Sequence, residues 1–118
     1  MIKVMRVYVR ADITDGTRVL VDRLWPRGIR RNTPNVDIWL KDVAPTTELR
    51  KWYAHEPRKW KSFKAKYLKE LEDNKAVANL LQVIRSTDTI TLVYATNDVK
   101  HNNAEVLREF LKRKFKIE

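Results

Sequence analysis

The stretch RVLVDRLWPRG (residues 18–28) joins an apolar run to a charged, aromatic turn. Val19, Leu20 and Val21 are consecutive apolar residues, two of them β-branched. Such a run predicts a strand that is covered on both faces, as in a parallel α/β sheet. Ligands of these sheets bind beyond the carboxyl ends of the strands. The turn that follows the run therefore lies where a binding site is expected.

This turn combines an acid, two guanidinium groups and an indole within residues 22–28. Arg23 and Arg27 predict an anion site, because a guanidinium matches phosphate or carboxylate bidentately and stays charged. The alternative is an internal salt bridge to Asp22 or Asp98 that fastens the turn. Asp22 itself is either a general base or a group that orients an arginine.

A second run, TITLVYA (residues 89–95), predicts a central strand that also ends in a polar cluster. Several helices separate the two runs, so the right-handed crossover rule makes them parallel partners or near neighbours. Their polar clusters then meet at one edge of the sheet. We expect a crevice there that binds a small anionic or phosphate-bearing ligand. Its expected residues are Arg23 and Arg27, with Asp22, Trp25, Tyr94, Asn97 and Asp98 shaping it.

The remaining pattern predicts a single α/β domain over residues 1–118. We expect a small, mainly parallel sheet flanked by helices in a Rossmann-like three-layer arrangement. The connection between the first two strands is shorter than a usual parallel crossover, so their relative direction stays open. The predicted elements are a strand over 2–10, a polar loop over 29–37, irregular or 3₁₀ structure over 37–44, and helices over 46–55, 57–73 and 76–86 and after Asn102.

Composition restricts the classes of function. The chain carries 25 Lys and Arg residues against 15 Asp and Glu, a net charge of +10, which favours polyanionic partners. It has no cysteine and two histidines, so we expect no disulfide and no metal site. No signal peptide and no apolar run of about 20 residues is visible, which favours a cytoplasmic protein without a membrane partner. Neither a cofactor nor an oligomeric state follows from the sequence.

Histidine chemistry is limited to two positions. His55 has an ordinary pKa suited to proton transfer, so it and Asp22 are the candidate catalytic residues if the protein is an enzyme. Its place at a predicted helix end equally suits capping of that helix. His101 lies in a hydrophilic loop and is expected at the surface.

A basic helix supports an alternative function, that of a nucleic-acid-binding or regulatory accessory protein. Residues 58–69 contain six Lys and Arg residues and no acid. Trp60, Phe63 and Tyr67 recur at helical spacing, so they are expected on one core-facing side of the helix. The lysines, among them Lys61 and Lys66, then form a solvated surface that contacts nucleic acid weakly and non-specifically.

Several motifs also resemble one family in order along nearly the whole chain. They are VDRLWPRG (21–28), WLK (39–41), APT (44–46), LRKWY (49–53), HEP (55–57) and TLVYA (91–95). Together they resemble the YeaO-like proteins, a branch of the family named domain of unknown function 488. The resemblance implies a small bacterial or archaeal cytoplasmic α/β protein without an established activity. The chain departs from that pattern at Asn97, where a basic residue is usual, and at Thr46, where Ser is usual.

Overall fold

The structure is a computed structural model that describes residues 1–117. Its sheet consists of four parallel strands. In chain order they are β1 (Ile2–Arg6), β2 (Thr17–Leu20), β3 (Ile38–Trp39) and β4 (Ile90–Tyr94), and their order across the sheet is β1-β4-β2-β3. The pairing of β2 with β4 places Val19 opposite Leu92. The prediction that the two apolar runs are parallel neighbours is confirmed. The first strand is parallel as well, because it pairs with β4 rather than with β2.

Four α-helices connect and follow these strands. They are α1 (Thr47–Tyr53), α2 (Trp60–Glu72), α3 (Val77–Arg85) and α4 (Asn103–Phe115), with short 3₁₀ turns at Ile13–Asp15, Lys41–Val43 and Pro57–Lys59. Within residues 1–117, none of these helices combines the length and apolar character that a membrane span requires.

Side-chain caps fix the starts of two helices. The Thr46 hydroxyl accepts the Leu49 N–H at 3.2 Å, and the Asn102 side chain accepts the Glu105 N–H at 2.9 Å. Each cap satisfies a backbone donor that has no partner within its helix. These caps confirm the predicted starts of α1 and α4.

One face of the sheet packs against the helices. Val19, Leu92 and Tyr94 point to this face and contribute to the larger core cluster. The helices supply most of the remaining buried side chains in that cluster, which include Phe63, Tyr67, Leu71, Leu80, Leu107 and Leu111. Phe63 and Tyr67 are therefore core residues, as the helical spacing predicted.

The opposite face of the sheet is covered by loop. Leu20 and Val93 point there and contact Val7 and Val36, with Trp25 and Trp39 packed against them. The α/β class and the small parallel sheet are confirmed. The layer on this second face comes from the chain around β1 and from the long segment between β2 and β3, rather than from helices.

A buried arginine joins this second layer to the sheet at its amino edge. The guanidinium of Arg18 is 1% exposed and donates to Asp15 Oδ2 at 2.7 Å. It also donates to the carbonyl oxygens of Asn35 at 2.7 Å and Val9 at 2.9 Å. Because Val9 and Asp15 lie in the connection before β2 and Asn35 lies in the one after it, one side chain holds both connections against β2.

Candidate functional site

The carboxyl ends of all four strands lie at one edge of the sheet, since the strands are parallel. The loops after β2 and β4 meet there directly, because Asp22 Oδ2 accepts the Ala95 N–H at 2.9 Å. We call this region the carboxyl edge. It is the place where the sequence predicted the crevice.

Asp22 connects three strand ends at this edge. Besides the bond to the chain after β4, its carbonyl oxygen accepts Trp39 Nε1 from the end of β3 at 2.8 Å. Burial raises the pKa of the Asp22 carboxyl, against the opposing effects of the Ala95 N–H, the Asn103 amide and the charge of Arg50. Arg50 is thus an arginine whose charge acts on Asp22.

Most of the hydrogen-bond donors of the Arg23 guanidinium contact other groups of the protein. Its Nε and Nη2 atoms donate to the carbonyl oxygens of Pro45 and Ala44, each at 3.1 Å. Its Nη1 lies 3.6 Å from Asp42 Oδ1, and its side chain is 26% exposed. The acidic neighbour of Arg23 is therefore Asp42, an exposed residue, rather than Asp22 or Asp98 as the salt-bridge alternative supposed.

Arg27 lies on an exposed turn on the loop-covered side of the sheet. The Tyr8 hydroxyl donates to its carbonyl oxygen at 2.7 Å, and Gly28 takes a positive φ of 81° next to it. These contacts place the Arg27 backbone near the end of β1, whereas Arg23 reaches towards the segment before α1. The two arginines that the sequence paired thus have different surroundings.

Trp25 forms an aromatic pair on the loop-covered side. Its ring centroid lies 5.4 Å from that of Trp39 at an interplanar angle of 68°, and its Nε1 donates to the Ile29 carbonyl at 2.7 Å. The Arg31 guanidinium lies 4.5 Å from the centroid of Trp25 and 5.2 Å from that of Trp39. Lys41 Nζ lies 5.6 Å from the Trp39 centroid. Two cations therefore lie over this indole pair.

Arg31 was not among the predicted site residues. It belongs to a polar loop, where an arginine is common and does not indicate a site. Its contact with the two indoles depends on the fold. Arg50, on α1, acts through its charge on the Asp22 carboxyl near the end of β2.

Tyr94 is buried at the end of β4. Burial raises the pKa of its hydroxyl, and the carboxylates of Glu105, Asp98 and Asp22 act in the same direction, whereas Arg6 opposes them. The Arg6 guanidinium is held by the carbonyl oxygens of Ala95 and Thr96 at 3.0 and 2.9 Å. Tyr94 thus stays protonated at neutral pH.

Asp98 organises the loop before α4, and Asn97 beside it is exposed. Asp98 Oδ1 accepts the N–H groups of Lys100 and His101 at 3.0 and 2.9 Å, and Oδ2 lies 3.2 Å from His101 Nδ1. The His101 N–H is the largest influence that lowers the pKa of the Asp98 carboxyl. The His101 side chain is 40% exposed, and its ring centroid lies 5.0 Å from that of Trp60.

His55 lies just beyond α1, outside the helix that was predicted to include it. Ala54 and His55 take left-handed backbone conformations, with φ of 48° and 55°, and these end the helix at Tyr53. The His55 side chain is exposed, and its ring centroid lies 6.1 Å from that of Tyr53. Among residues 1–117 it makes no side-chain hydrogen bond to the end of α1.

In the part of the chain that the structure describes, no three His, Asp or Glu side chains are grouped so that they could hold a metal ion. Two surface cavities are lined by other sets of the described residues. One is a groove between α2 and α4, and the other lies at the amino edge beside Gly16.

Known proteins similar to this chain share its length. The family described as the inactive DUF488-N3 subclade matches residues 1–118. The uncharacterised protein Rv3073c of Mycobacterium tuberculosis is 46% identical over 110 residues, 93% of this chain and 92% of the relative. The uncharacterised protein YeaO of Escherichia coli is 39% identical over 111 residues, 94% of this chain and 96% of the relative. No solved structure matched the chain.

Proposed function

Because the chain belongs to the DUF488 proteins, in the group described as the inactive N3 subclade, we propose that it binds a small anionic ligand without transforming it. The ligand carries a phosphate or a similar group and binds at the carboxyl edge. Ligands of parallel sheets bind in this position, outside the carboxyl ends of the strands.

One contrast between the two edges of the sheet carries the proposal. At the amino ends of the strands, Arg18 of β2 and Lys3 of β1 are neutralised internally, since both pair with Asp15. At the carboxyl edge Arg27, Arg31 and Arg50 have no acidic partner within 4 Å among residues 1–117. Arginines that form no ion pair leave this edge of the sheet able to attract an anion from solution.

The ligand's anionic group is placed among these guanidinium groups. Arg27 and Arg50 are exposed and keep their donors available. Arg31 is positioned by the two indoles beneath it, so a phosphate that contacts Arg31 also lies next to the flat apolar surface of Trp25 and Trp39. Arg23 adds positive charge, while most of its hydrogen-bonding capacity holds the segment before α1.

The contacts of the two proton-transfer candidates support binding without turnover. Asp22 is engaged with the Ala95 N–H, so we assign it the role of positioning the ends of β2 and β4. His55 is exposed next to α1, and Tyr53 is its aromatic neighbour. A base that is already hydrogen-bonded and a histidine without an orienting partner are a poor pair for general acid–base catalysis. The description of the family as inactive supports the same conclusion.

A thermal-shift screen tests the binding. The probes are inorganic phosphate, pyrophosphate and a panel of nucleotides and sugar phosphates, with the wild-type chain and with Arg27→Ala and Arg31→Ala. At a concentration 100 times its Kd, a ligand that binds only the folded chain adds about 2.7 kcal/mol to the free energy of unfolding. Loss of one charged hydrogen-bonding group is expected to weaken the binding of that ligand by about tenfold or more.

Arg85→Ala is the matched control. Arg85 is an exposed arginine in the last turn of α3, which precedes the amino end of β4 and so lies at the opposite edge of the sheet. Its replacement should leave the ligand-induced stabilisation unchanged. Stabilisation that survives both Arg27→Ala and Arg31→Ala, or that falls equally with Arg85→Ala, would contradict the proposed site.

The substitution Asp22→Asn tests whether Asp22 needs its negative charge or only the oxygen that accepts the Ala95 N–H. Burial raises the pKa of the Asp22 carboxyl, so the folded state binds a proton more readily than the unfolded state, and the ionised carboxylate opposes folding at neutral pH. The asparagine oxygen still accepts the Ala95 N–H. We expect Asp22→Asn to be more stable than the wild type at neutral pH, and the difference to vanish towards about pH 4. Urea unfolding at several pH values measures this, and a variant that is less stable at neutral pH would show that the negative charge itself is required.

A further inference from the structure

A groove of about 690 Å³ runs between α2 and α4 and extends to Val99 and Lys100 in the loop after β4. We call it the α2–α4 groove. Its size falls within the range of about 300 to 1,000 Å³ that ligand sites in proteins usually have. Five Lys and Arg side chains and two Glu side chains line it, together with the indole of Trp60.

The two acids in the groove are neutralised by cations of the groove itself. Lys64 Nζ lies 3.0 Å from Glu109 Oε2 and links the two helices. Arg108 pairs with Glu105 on α4 at 2.6 Å. The other three cations of the groove, Lys100, Lys112 and Arg113, are exposed and have no acidic partner within 4 Å among residues 1–117. The groove therefore carries an uncompensated charge of three.

Trp60 gives the groove an aromatic wall. Its ring stacks on the buried ring of Phe63 at a centroid distance of 5.5 Å and an angle of 27°. Phe63 and Tyr67 are buried, as the helical spacing predicted, but Trp60 is half-buried and contributes to the groove surface. Tyr53 and His101 also contact this ring, at centroid distances of 5.9 and 5.0 Å, and the part of the ring that stays exposed is available to stack a planar ligand.

We propose that the α2–α4 groove binds single-stranded nucleic acid. Backbone phosphates contact Lys100, Lys112 and Arg113, and a base stacks on Trp60. Proteins that bind single strands without sequence preference combine these two elements, a positively charged groove and an aromatic surface. A concave groove accepts a flexible single strand with unstacked bases, whereas the paired bases of a duplex are not free to stack on Trp60.

This site differs from the basic surface that the sequence indicated. That surface was assigned to α2, whereas the three unpaired cations of the groove come from α4 and the loop before it. Lys66 lies over the ring of Trp52, 5.2 Å from its centroid, and Lys61 is exposed; neither lines the groove. The two surfaces can therefore be tested against each other.

Fluorescence anisotropy with a labelled oligothymidylate of about ten nucleotides tests the phosphate contacts. The groove variant is Lys112→Glu with Arg113→Glu, and the matched control, Lys61→Glu with Lys66→Glu, changes the net charge equally. We expect the groove variant to lose about tenfold or more in affinity. The slope of log Kobs against log salt between about 50 and 200 mM should fall in magnitude by about 1.4, since each phosphate contact on a single strand contributes about 0.7. The control should lose less than about threefold. Equal losses in both variants, or the larger loss in the control, would overturn the proposal.

Trp60→Phe tests the stacking and keeps a ring packed on Phe63. The oligothymidylate should quench the tryptophan fluorescence of the wild-type chain, and Trp60→Phe should lose most of that quenching. Heparin, a polyanion without bases, should bind the groove cations and leave the fluorescence unchanged. Quenching that persists in Trp60→Phe, or that heparin reproduces, would overturn the stacking on Trp60.

Discussion

Replacement of Arg18 by methionine is expected to lower the free energy of unfolding by about 3–5 kcal/mol, because it deprives the buried Asp15 carboxylate of its buried ionic partner. Arg18 and Asp15 are each 1% exposed. The same substitution removes the donors to the carbonyl oxygens of Asn35 and Val9. Urea unfolding followed by circular dichroism measures the loss through the midpoint, with the m value as a check that both states stay comparable.

Lys3→Met is the control for Arg18. Lys3 also pairs with Asp15, at 3.1 Å, but its side chain is 30% exposed, so its loss is expected to cost about 1 kcal/mol or less. Burial alone would raise the pKa of Asp15, yet the bonds from the Asp12 N–H, Arg18 and Lys3 outweigh it and lower that pKa. The stability from this carboxylate is thus present at neutral pH and is lost as the pH falls through the lowered pKa. A cost below about 1 kcal/mol for Arg18→Met would show that Arg18 does not hold the loop layer.

The second large effect is expected for Gly16→Ala, at about 3 kcal/mol or more. A Cβ atom at Gly16 would lie 2.0 Å from the Thr89 carbonyl oxygen, and the residue has a φ of 64°. The carbonyl cannot withdraw without loss, because it accepts the Thr17 N–H at 3.1 Å at the start of the β2–β4 pairing. The clash therefore falls on backbone rather than on a flexible side chain.

Gly28→Ala is the matched control for this steric argument. Gly28 also has a positive φ, 81°, but a Cβ atom added there would have no neighbour within 4 Å. Its replacement by alanine should cost only the conformational preference, about 1 kcal/mol. Thermal unfolding of both variants compares the two, and similar losses would mean that φ rather than the contact with Thr89 decides the cost.

The parts of the fold that depend on local pattern could be predicted from the sequence. The apolar runs ending at Val21 and Ala95 identify the central strands, and the crossover rule makes them parallel. Asn102, and either Thr46 or Thr47, could be identified as helix N-caps, because a side-chain oxygen at that position satisfies a free N–H. The shared carboxyl edge then follows from strand direction alone.

The parts that depend on distant partners could not be predicted. Arg18 begins an apolar run and is buried only because loops from both sides supply its acceptors. Among the described residues, no helix covers the second face of the sheet, and the segment after β2 packs there through Trp25 and Ile29. The polar sequence of that segment does not indicate this packing. Distant contacts also decide the surroundings of the predicted site residues. Strand direction places Arg23 at the correct edge, but carbonyl groups of a later segment decide where its donors point.

The claim that an anion binds at the carboxyl edge is tested most directly by an NMR titration of the ¹⁵N-labelled chain with inorganic pyrophosphate. The account predicts saturable shifts of the backbone amides of residues 22–31 and 95–98 and of the arginine side-chain resonances of Arg27, Arg31 and Arg50. Arg85 and the amides beside Gly16 should not move. Shifts confined to the α2–α4 groove or to the amino edge, or none that saturate, would contradict it.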